Sequence, residues 1–288
     1  MNYKIGAHIS SAGGYYKALE KIIKIGGNCL QIFSSSPMMW VNSKVTDEDI
    51  QKFVELKNKL QIDPIYFHAC YLINCADSKE TGKKSVQSLI FELNLAKKMG
   101  VRGSIVHTGS FKEGKTPVDN YLATRTSESY KTLILNIKTV LAETPQNTFL
   151  ILENAGNRKI GRTIDQLVHI LEDVHDDRLR ICLDTCHLHA AGYDLNSPDK
   201  FGQFITDLDA KIGLHKLEVV HMNDSKDSFG TLRDRHENIG KGYVGVNVFK
   251  NLLNDNRTKH IPFILEVPGL DGKGPDKENL DIIKQLLN

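Results

Sequence analysis

The chain holds only five cysteines in 288 residues, an odd number, and no two of them form a C-x-x-C pair. That excludes a disulfide-stapled scaffold and fits a reducing compartment. It also lacks a surplus of one charge. Its 37 basic and 35 acidic side chains leave a formal +2, so no bulk field announces a nucleic-acid partner, although a local basic patch can hide in such a total. No apolar run approaches the roughly 18 residues of a membrane span. The amino terminus, MNYKIGAHIS, enters a strand-like stretch at once, without the apolar core of a secretion signal. Low-complexity tracts and interdomain linkers are missing too. The GKG segments at Gly240–Gly242 and Gly272–Gly274 lack the spacing and following Ser/Thr of a P-loop. These absences lead to the expectation of a soluble intracellular monomer, cytoplasmic if bacterial. The length suits one (β/α)8 domain over 1–288, since that fold takes about 250 residues.

Apolar content of 40% and charged content of 25% are those of an ordinary globular protein. Eight short apolar strands alternate with helix-patterned segments, which predicts a parallel β/α architecture. Seven strands end on a metal-ligand type: YKIGAH at His8, IYFH at His68, SIVH at His107, FLILE at Glu153, RICLD at Asp184, LEVVH at His221 and FILE at Glu266. The second strand, CLQIF, ends on Phe33 and is the exception. Helices are expected over Tyr16–Ile25, from the Thr46 cap to Leu60, Lys83–Met99, Val118–Leu141, Ile164–Val174, Phe201–Ile212, Val246–Leu253 and Lys277–Leu287. In a (β/α)8 barrel the carboxyl ends of all strands converge on one face, where the chemistry sits. The long loops after strands two, three, six and seven belong to that face.

Two further spacings add ligand types. In Asp184-x-x-His187 a strand-end carboxylate and an imidazole one turn later can each reach a metal, not necessarily the same one. In Asp234-Arg235-His236 an extended backbone turns residues i and i+2 the same way, so Asp234 and His236 can grip one ion while Arg235 faces out. Each motif alone is more simply a solvated loop or a hydrogen-bonded core histidine. Glu153 and Glu266, set at the ends of apolar strands, must be desolvated, paired or metal-bound. Taken together, His68, His107, His187, His221 and His236 with Glu153, Asp184, Asp234 and Glu266 exceed what one ion needs and suggest two or three. His with Asp and Glu suits zinc or another borderline divalent ion such as Mn or Fe. Clustered metals clamp the attacking and leaving oxygens of phosphoryl transfer, so a multinuclear metallohydrolase acting on a phosphoester is favoured. Cys182 and Cys186 read as buried small hydrophobes. His169 and His175 read as surface residues, and His189, His215 and His260 carry no assignment.

The segments GAHISSAGG, FHACYLINCA, HTGS, CLDTCHLHAAGYDL, HMNDSK, DRHENIGKG and FILE resemble, in order and spacing, the endonuclease IV family of apurinic/apyrimidinic endonucleases, from Ile5 to about Glu266. The resemblance implies a (β/α)8 barrel with three zinc ions. One would sit on His68, His107 and Glu153. A second would share Glu153 and take Asp184, His221 and Glu266, and a third would take His187, Asp234 and His236. It implies hydrolysis of DNA on the 5′ side of abasic sites, leaving a 3′-hydroxyl and a 5′-deoxyribose phosphate, and trimming of blocked 3′ ends. Mn2+ or Fe2+ can substitute in such a centre. Glu153, Asp184 and Glu266 would serve catalysis through the metals, and His8 would lie near the site, on a phosphate. Tyr71 and Leu72 match the loop that enters DNA at the lesion. Trp40, Met38, Asn223 and Lys226 fall in segments expected to touch DNA. The chain departs from the family at Met38 and Met39, where relatives often carry polar residues and an arginine, at HTGS for HPGS, and in the segment ENAGNRKIG. A sugar isomerase or epimerase on the same barrel, and a lesion-binding protein without activity, remain the alternatives.

Overall fold

The computed structural model describes residues 3–40, 44–111, 125–157 and 159–287. Seven parallel strands run in chain order: β1 Ile5–His8, β2 Cys29–Phe33, β3 Ile65–His68, β4 Gly103–Val106, β5 Phe149–Glu153, β6 Leu179–Asp184 and β7 Leu217–His221. A two-strand antiparallel ribbon follows, β8 Asp224–Ser225 and β9 His236–Glu237, and then the eighth barrel strand, β10 Phe263–Leu265. Each barrel strand pairs with its neighbour in the chain, and β10 closes the ring on β1 with Phe263 opposite Ile5 and Leu265 opposite Ala7. The expected (β/α)8 barrel is therefore the observed one.

Six of the nine helices among the described residues begin where a side chain caps them. Thr46 accepts from the backbone N–H of Asp49 and Asp49 answers in a capping box, opening α2 Asp47–Leu60. Ser127 opens α4 Glu128–Ala142, Thr163 opens α5 Ile164–Val174, and Ser197 opens α7 Pro198–Ile212. Between these lie α1 Tyr15–Lys24, α3 Glu80–Met99 and α6 Thr185–Ala191, and the chain ends with α8 Val246–Asn254 and α9 Lys277–Gln285. Of these, α1, α3 and α8 begin without a side-chain cap. Four expectations are corrected. Helix α7 starts at Pro198, three residues before the expected Phe201. Helix α3 starts at Glu80, three residues before Lys83. Helix α4 starts only at Glu128, after its Ser127 cap, and the part of the expected helix before residue 125 lies outside the described residues. The segment after β6, expected as loop, begins with α6. Among the described residues, no helix is long and apolar enough to cross a membrane.

Two apolar layers hold the fold. Between barrel and helices, Leu19, Ile22, Phe53, Leu93, Leu133, Leu167 and Phe249 are buried. Inside the barrel, Cys29, Tyr66, Ile105, Ile151, Cys182, Val219 and Ile264 form a separate cluster, one residue from each of seven strands. Below it, Tyr66 donates to Glu218, which also takes Arg102 at 2.8 Å. The interior is a packed core rather than a pore.

Candidate metal centre

Side chains alternate along a strand, so a residue two positions past an inward one also points inward. Two positions past the inner apolar cluster stand Gln31, His68, His107, Glu153, Asp184, His221 and Glu266. On β1, His8 follows Gly6 in the same way. The carboxyl end of the barrel is thus capped by one ring of polar side chains, all but His107, Glu266 and His8 fully buried.

Glu153 is the hub. Its Oε2 lies 3.3 Å from Nε2 of His68 and of His107, and its Oε1 lies 3.1 Å from Nδ1 of His221. His221 Nδ1 also lies 3.2 Å from Glu266 Oε2. The Asp184-x-x-His187 spacing is a helix cap. Asp184 Oδ1 accepts from the backbone N–H of His187 at 2.9 Å, starting α6 and turning the imidazole back over the ring. That approach needs Gly156, where a Cβ would lie 2.8 Å from Cδ2 and 2.9 Å from Cα of His187. His187 Nε2 then meets Asp234 Oδ1 at 2.9 Å, and His236 Nε2 lies 3.6 Å from the same oxygen. Arg235 turns away, as the i, i+2 argument predicts, and pairs with Asp227.

The donor atoms fall into three groups, each within 4.8 Å: His68, His107 and Glu153; Glu153, Asp184, His221 and Glu266; His187, Asp234 and His236. A fourth overlapping group contains Cys186 with Asp184 and His236. Burial pushes the Cys186 thiol up to about 12, so it stays protonated and packs, as Cys182 does.

Four of the five second ring nitrogens are already engaged; the fifth, His107 Nδ1, is buried with no hydrogen-bond partner among the described residues. His68 Nδ1 donates to the carbonyl of Ala69 at 2.8 Å, His187 Nδ1 to that of Asn154 at 2.9 Å, and His236 Nδ1 to that of Glu266 at 3.3 Å. His221 Nε2 donates to Gln31 Oε1 at 2.7 Å. Each bond selects the tautomer whose other nitrogen offers a lone pair to its group. His187 Nε2 faces the Asp234 carboxylate at 2.9 Å, and His236 Nε2 is buried without a hydrogen-bond partner among the described residues. Oxygen and imidazole donors aimed at shared centres, with lone pairs exposed only toward one another, fit borderline divalent cations.

The electrostatics agree. Burial raises Glu153, but the imidazoles of His107, His221 and His187 override it and hold the carboxyl well below the usual range. Burial also works against Glu266, which His221 and His8 likewise hold low. Burial lowers His187, yet Asp184 and Asp234 bring it well above its ordinary value. His107, with weaker carboxylate support, is pushed down to about 4 by burial. Perturbation this dense is characteristic of a functional site.

Gln31 was missed by reasoning that looked only at strand ends. Its Nε2 donates to Glu266 Oε1 at 2.5 Å and lies 2.8 Å from His8 Nδ1, while its Oε1 receives His221. The signal was a lone glutamine inside the apolar strand CLQIF. Phe33, the apparent exception, packs against His8 with centroids 4.4 Å apart and edge-on to Tyr71 at 5.5 Å.

Asn223 is a correction. Expected on DNA, it is fully buried, donating to Asp184 Oδ2 at 2.6 Å and accepting from the backbone N–H of Glu266 at 2.7 Å. Its amide spaces two carboxylates and has no face left for a ligand. Trp40 is half-buried against the core and anchors its loop. Met38, Met39 and Tyr71 are exposed on the rim, Leu72 is half-buried, and Lys226 is exposed. The backbone N–H of Tyr71 donates to the carbonyl of Pro37, tying the two rim loops together. A cavity of about 910 Å³ opens above the ring, lined by His8, Tyr71, His187, Asp234, His236 and Lys273 among others.

Comparison with known proteins adds the following. Residues 19–286 match the AP endonuclease family 2, described as the xylose isomerase-like TIM barrel. The chain is 34% identical to the probable endonuclease 4 of Persephonella marina, across 99% of this chain and 97% of that protein. It superposes on the crystal structure of endonuclease IV from Thermus thermophilus with a TM-score of 0.83 and 30% identity, covering 98% of each chain. A D-tagatose 3-epimerase-like protein is also similar, with a TM-score of 0.72 over 98% of this chain and 96% of that one, but at 20% identity that likeness shows the fold alone.

Proposed function

Because this chain belongs to the endonuclease IV family, we propose that it is the metal-dependent hydrolase that cuts DNA on the 5′ side of abasic sites, leaving a 3′-hydroxyl and a 5′-deoxyribose phosphate, and that trims blocked 3′ ends in base excision repair. The observation that carries this reading is the sorting of nine side chains into three donor groups, two of which share Glu153. Three zinc ions would occupy them, on His68, His107 and Glu153, on Glu153, Asp184, His221 and Glu266, and on His187, Asp234 and His236. When bound, the metals supply the Lewis acidity that activates water and neutralises charge on the attacking and leaving oxygens of the phosphodiester.

The chain's own groups do the rest. Glu153 offers Oε2 to the His68 and His107 group and Oε1 to the His221 group, and would hold two cations close. Gln31 is oriented by the proton it accepts from His221, so its amide N–H groups face Glu266 Oε1 and His8 Nδ1, which also meets Glu266 Oε1 at 3.1 Å, and the imidazole is held beside the cavity. His8 Nε2 has no hydrogen-bond partner among the described residues, and His8 lines the cavity, where it would meet a phosphate oxygen. Tyr71, with Leu72 behind it, fills the gap at the lesion. An abasic sugar is cheap to extrude because no base pair need be broken.

The test is incubation of the pure protein with a duplex carrying one abasic analogue, together with elemental analysis. Scission on the 5′ side with about three ions per chain is expected. Tight binding without scission would instead select a lesion-binding protein, and inertness toward the duplex the sugar-epimerase reading. One ion or fewer in metal-replete protein ends the three-ion reading.

A further inference from the structure

The third donor group differs from the other two in its support. His68, His107, Glu153, Asp184, His221 and Glu266 stand at the ends of barrel strands, whereas Asp234 and His236 ride on the long loop after β7. Only the ribbon β8–β9, two residue pairs long, ties that loop to itself as sheet. A ladder this short is marginal alone, and yet His236 must stay within reach of both Asp234 and His187.

At the base of this loop lies Asp224, fully buried. Its carboxylate accepts four backbone N–H groups. Oδ1 takes those of Ser225 at 2.8 Å and Val244 at 2.9 Å, and Oδ2 takes those of Gly240 at 2.9 Å and Gly242 at 3.0 Å. The segment Gly240–Lys241–Gly242, which fails as a P-loop, therefore is an anion nest, and the anion it holds is the chain's own aspartate. Its glycines have steric reasons. Gly240 has φ +75°, and a Cβ on Gly242 would lie 2.3 Å from the Ser225 carbonyl oxygen and 2.6 Å from Asp224 Oδ1. Ser225 is the residue paired with His236 across the ribbon, and its carbonyl also accepts from the backbone N–H of Tyr243 at 2.9 Å. One carboxylate thus fastens the end of the loop to the start of the ribbon that carries His236.

We propose that Asp224 is the positioning residue of the third donor group: by closing the loop through the Gly240–Gly242 nest, it sets the register of β8 on β9 and so holds His236 beside Asp234 and His187. This rests on the proposed three-ion reading. Asp224 touches neither ion nor substrate, and it acts through the backbone.

Asp224→Asn keeps the shape but replaces one oxygen by an amide NH2. Whichever way the amide turns, two N–H groups lose their acceptor and face a donor. In metal-replete variant protein taken as the monomeric, natively folded fraction, the expected result is loss of one ion while the other two remain. Chelator competition should show the weakest ion bound about 10–100-fold more loosely, the range for residues that orient metal ligands. Gly242→Ala, which forces a Cβ into the same contacts, should give the same selective loss by a route that leaves the carboxylate intact. A merely structural role would lower thermal stability and leave the stoichiometry and affinities of the folded fraction unchanged. Wild-type ion content in both variants overturns the proposal, as does parallel loss of all ions. A wild-type chain that itself binds one ion or fewer fails the three-ion reading instead, so the two failures are distinguishable.

Discussion

The barrel interior has two halves built on the same strands, two residues apart. Toward the amino end, Cys29, Tyr66, Ile105, Ile151, Cys182, Val219 and Ile264 pack against one another. Toward the carboxyl end, Gln31, His68, His107, Glu153, Asp184, His221 and Glu266 face one another instead. Apart from the Tyr66 hydroxyl, which bonds Glu218, the lower half is held mainly by apolar contact, since apolar side chains gain by leaving water and need no partner of particular geometry. The upper half gains nothing from being dry: buried carboxylates and imidazoles cost free energy until each finds a charge or a hydrogen bond. The lower half therefore supplies rigidity, and the upper half stores electrostatic demand that a set of cations can meet.

The contrast can be broken on a single strand. On β5, Glu153→Gln keeps the shape of the upper residue and removes the charge shared by two donor groups. Cleavage of an abasic duplex should fall on the order of 10³-fold or more, comparable with removing a principal electrostatic stabiliser. Affinity for that duplex, carried by phosphate contacts, should stay within about tenfold. Near wild-type cleavage in steady-state assays would show that Glu153 bridges nothing.

Two residues below, Ile151→Ala should do the reverse. It opens a cavity in a fully buried layer and should cost about 2–5 kcal/mol of stability in denaturant unfolding, with the ion content of the folded fraction unchanged. Loss of ions before loss of fold would mean that the two halves are not separable.

Glu92 sharpens the comparison from outside the barrel. It is as buried as Glu153, but its partner is the hydroxyl of Ser104 at 2.5 Å rather than a set of imidazoles. Burial pushes its carboxyl up to about 7, the opposite direction from Glu153. A raised folded-state value means that the protonated form is favoured. Its contribution is complete below the ordinary glutamate range near 4.5 and is lost as pH rises toward about 7. Stability should decline over that window by up to about 3 kcal/mol, and Glu92→Gln should flatten the decline and leave the variant the more stable protein at pH 8. A wild-type profile that is flat between pH 4.5 and pH 7, or that rises, would refute this.

The smallest expected effect belongs to Gln31→Leu, which makes the upper ring apolar at one position. His221 loses the acceptor that sets its tautomer, and Glu266 loses a donor. Metal affinity should weaken about 10–100-fold with little loss of fold, and Gln31→Glu, which still accepts from His221, should recover part of it in the same chelator titration. Equal affinities in all three proteins would show that Gln31 only fills space.

Much of this centre was legible because a strand has period two. The triplets IVH, ILE, CLD and VVH each carry an apolar residue followed two places later by a ligand type, and a barrel must bring such ends to one face. CLQ obeys the same rule, but glutamine is not a ligand type and Phe33 drew the eye to the wrong end of the strand. Asn223 was expected on DNA because it falls in the HMNDSK segment of the resemblance, and only packing showed it wedged between Asp184 and Glu266.

By itself, the sequence determined the alternation of strands and helices, the caps that start α2 and α5, and the chemical types that meet at the carboxyl face, because these depend on local periodicity and on hydrogen bonds within a few residues. The resemblance already implied which donors share a centre; only the tertiary structure decided which nitrogen of His68, His187, His221 and His236 is engaged, that Asp184 both caps α6 and faces the ring, and that the Gly240–Gly242 segment wraps Asp224. Those facts depend on distances between residues tens to hundreds of positions apart, which strand register and barrel closure set and no local pattern encodes.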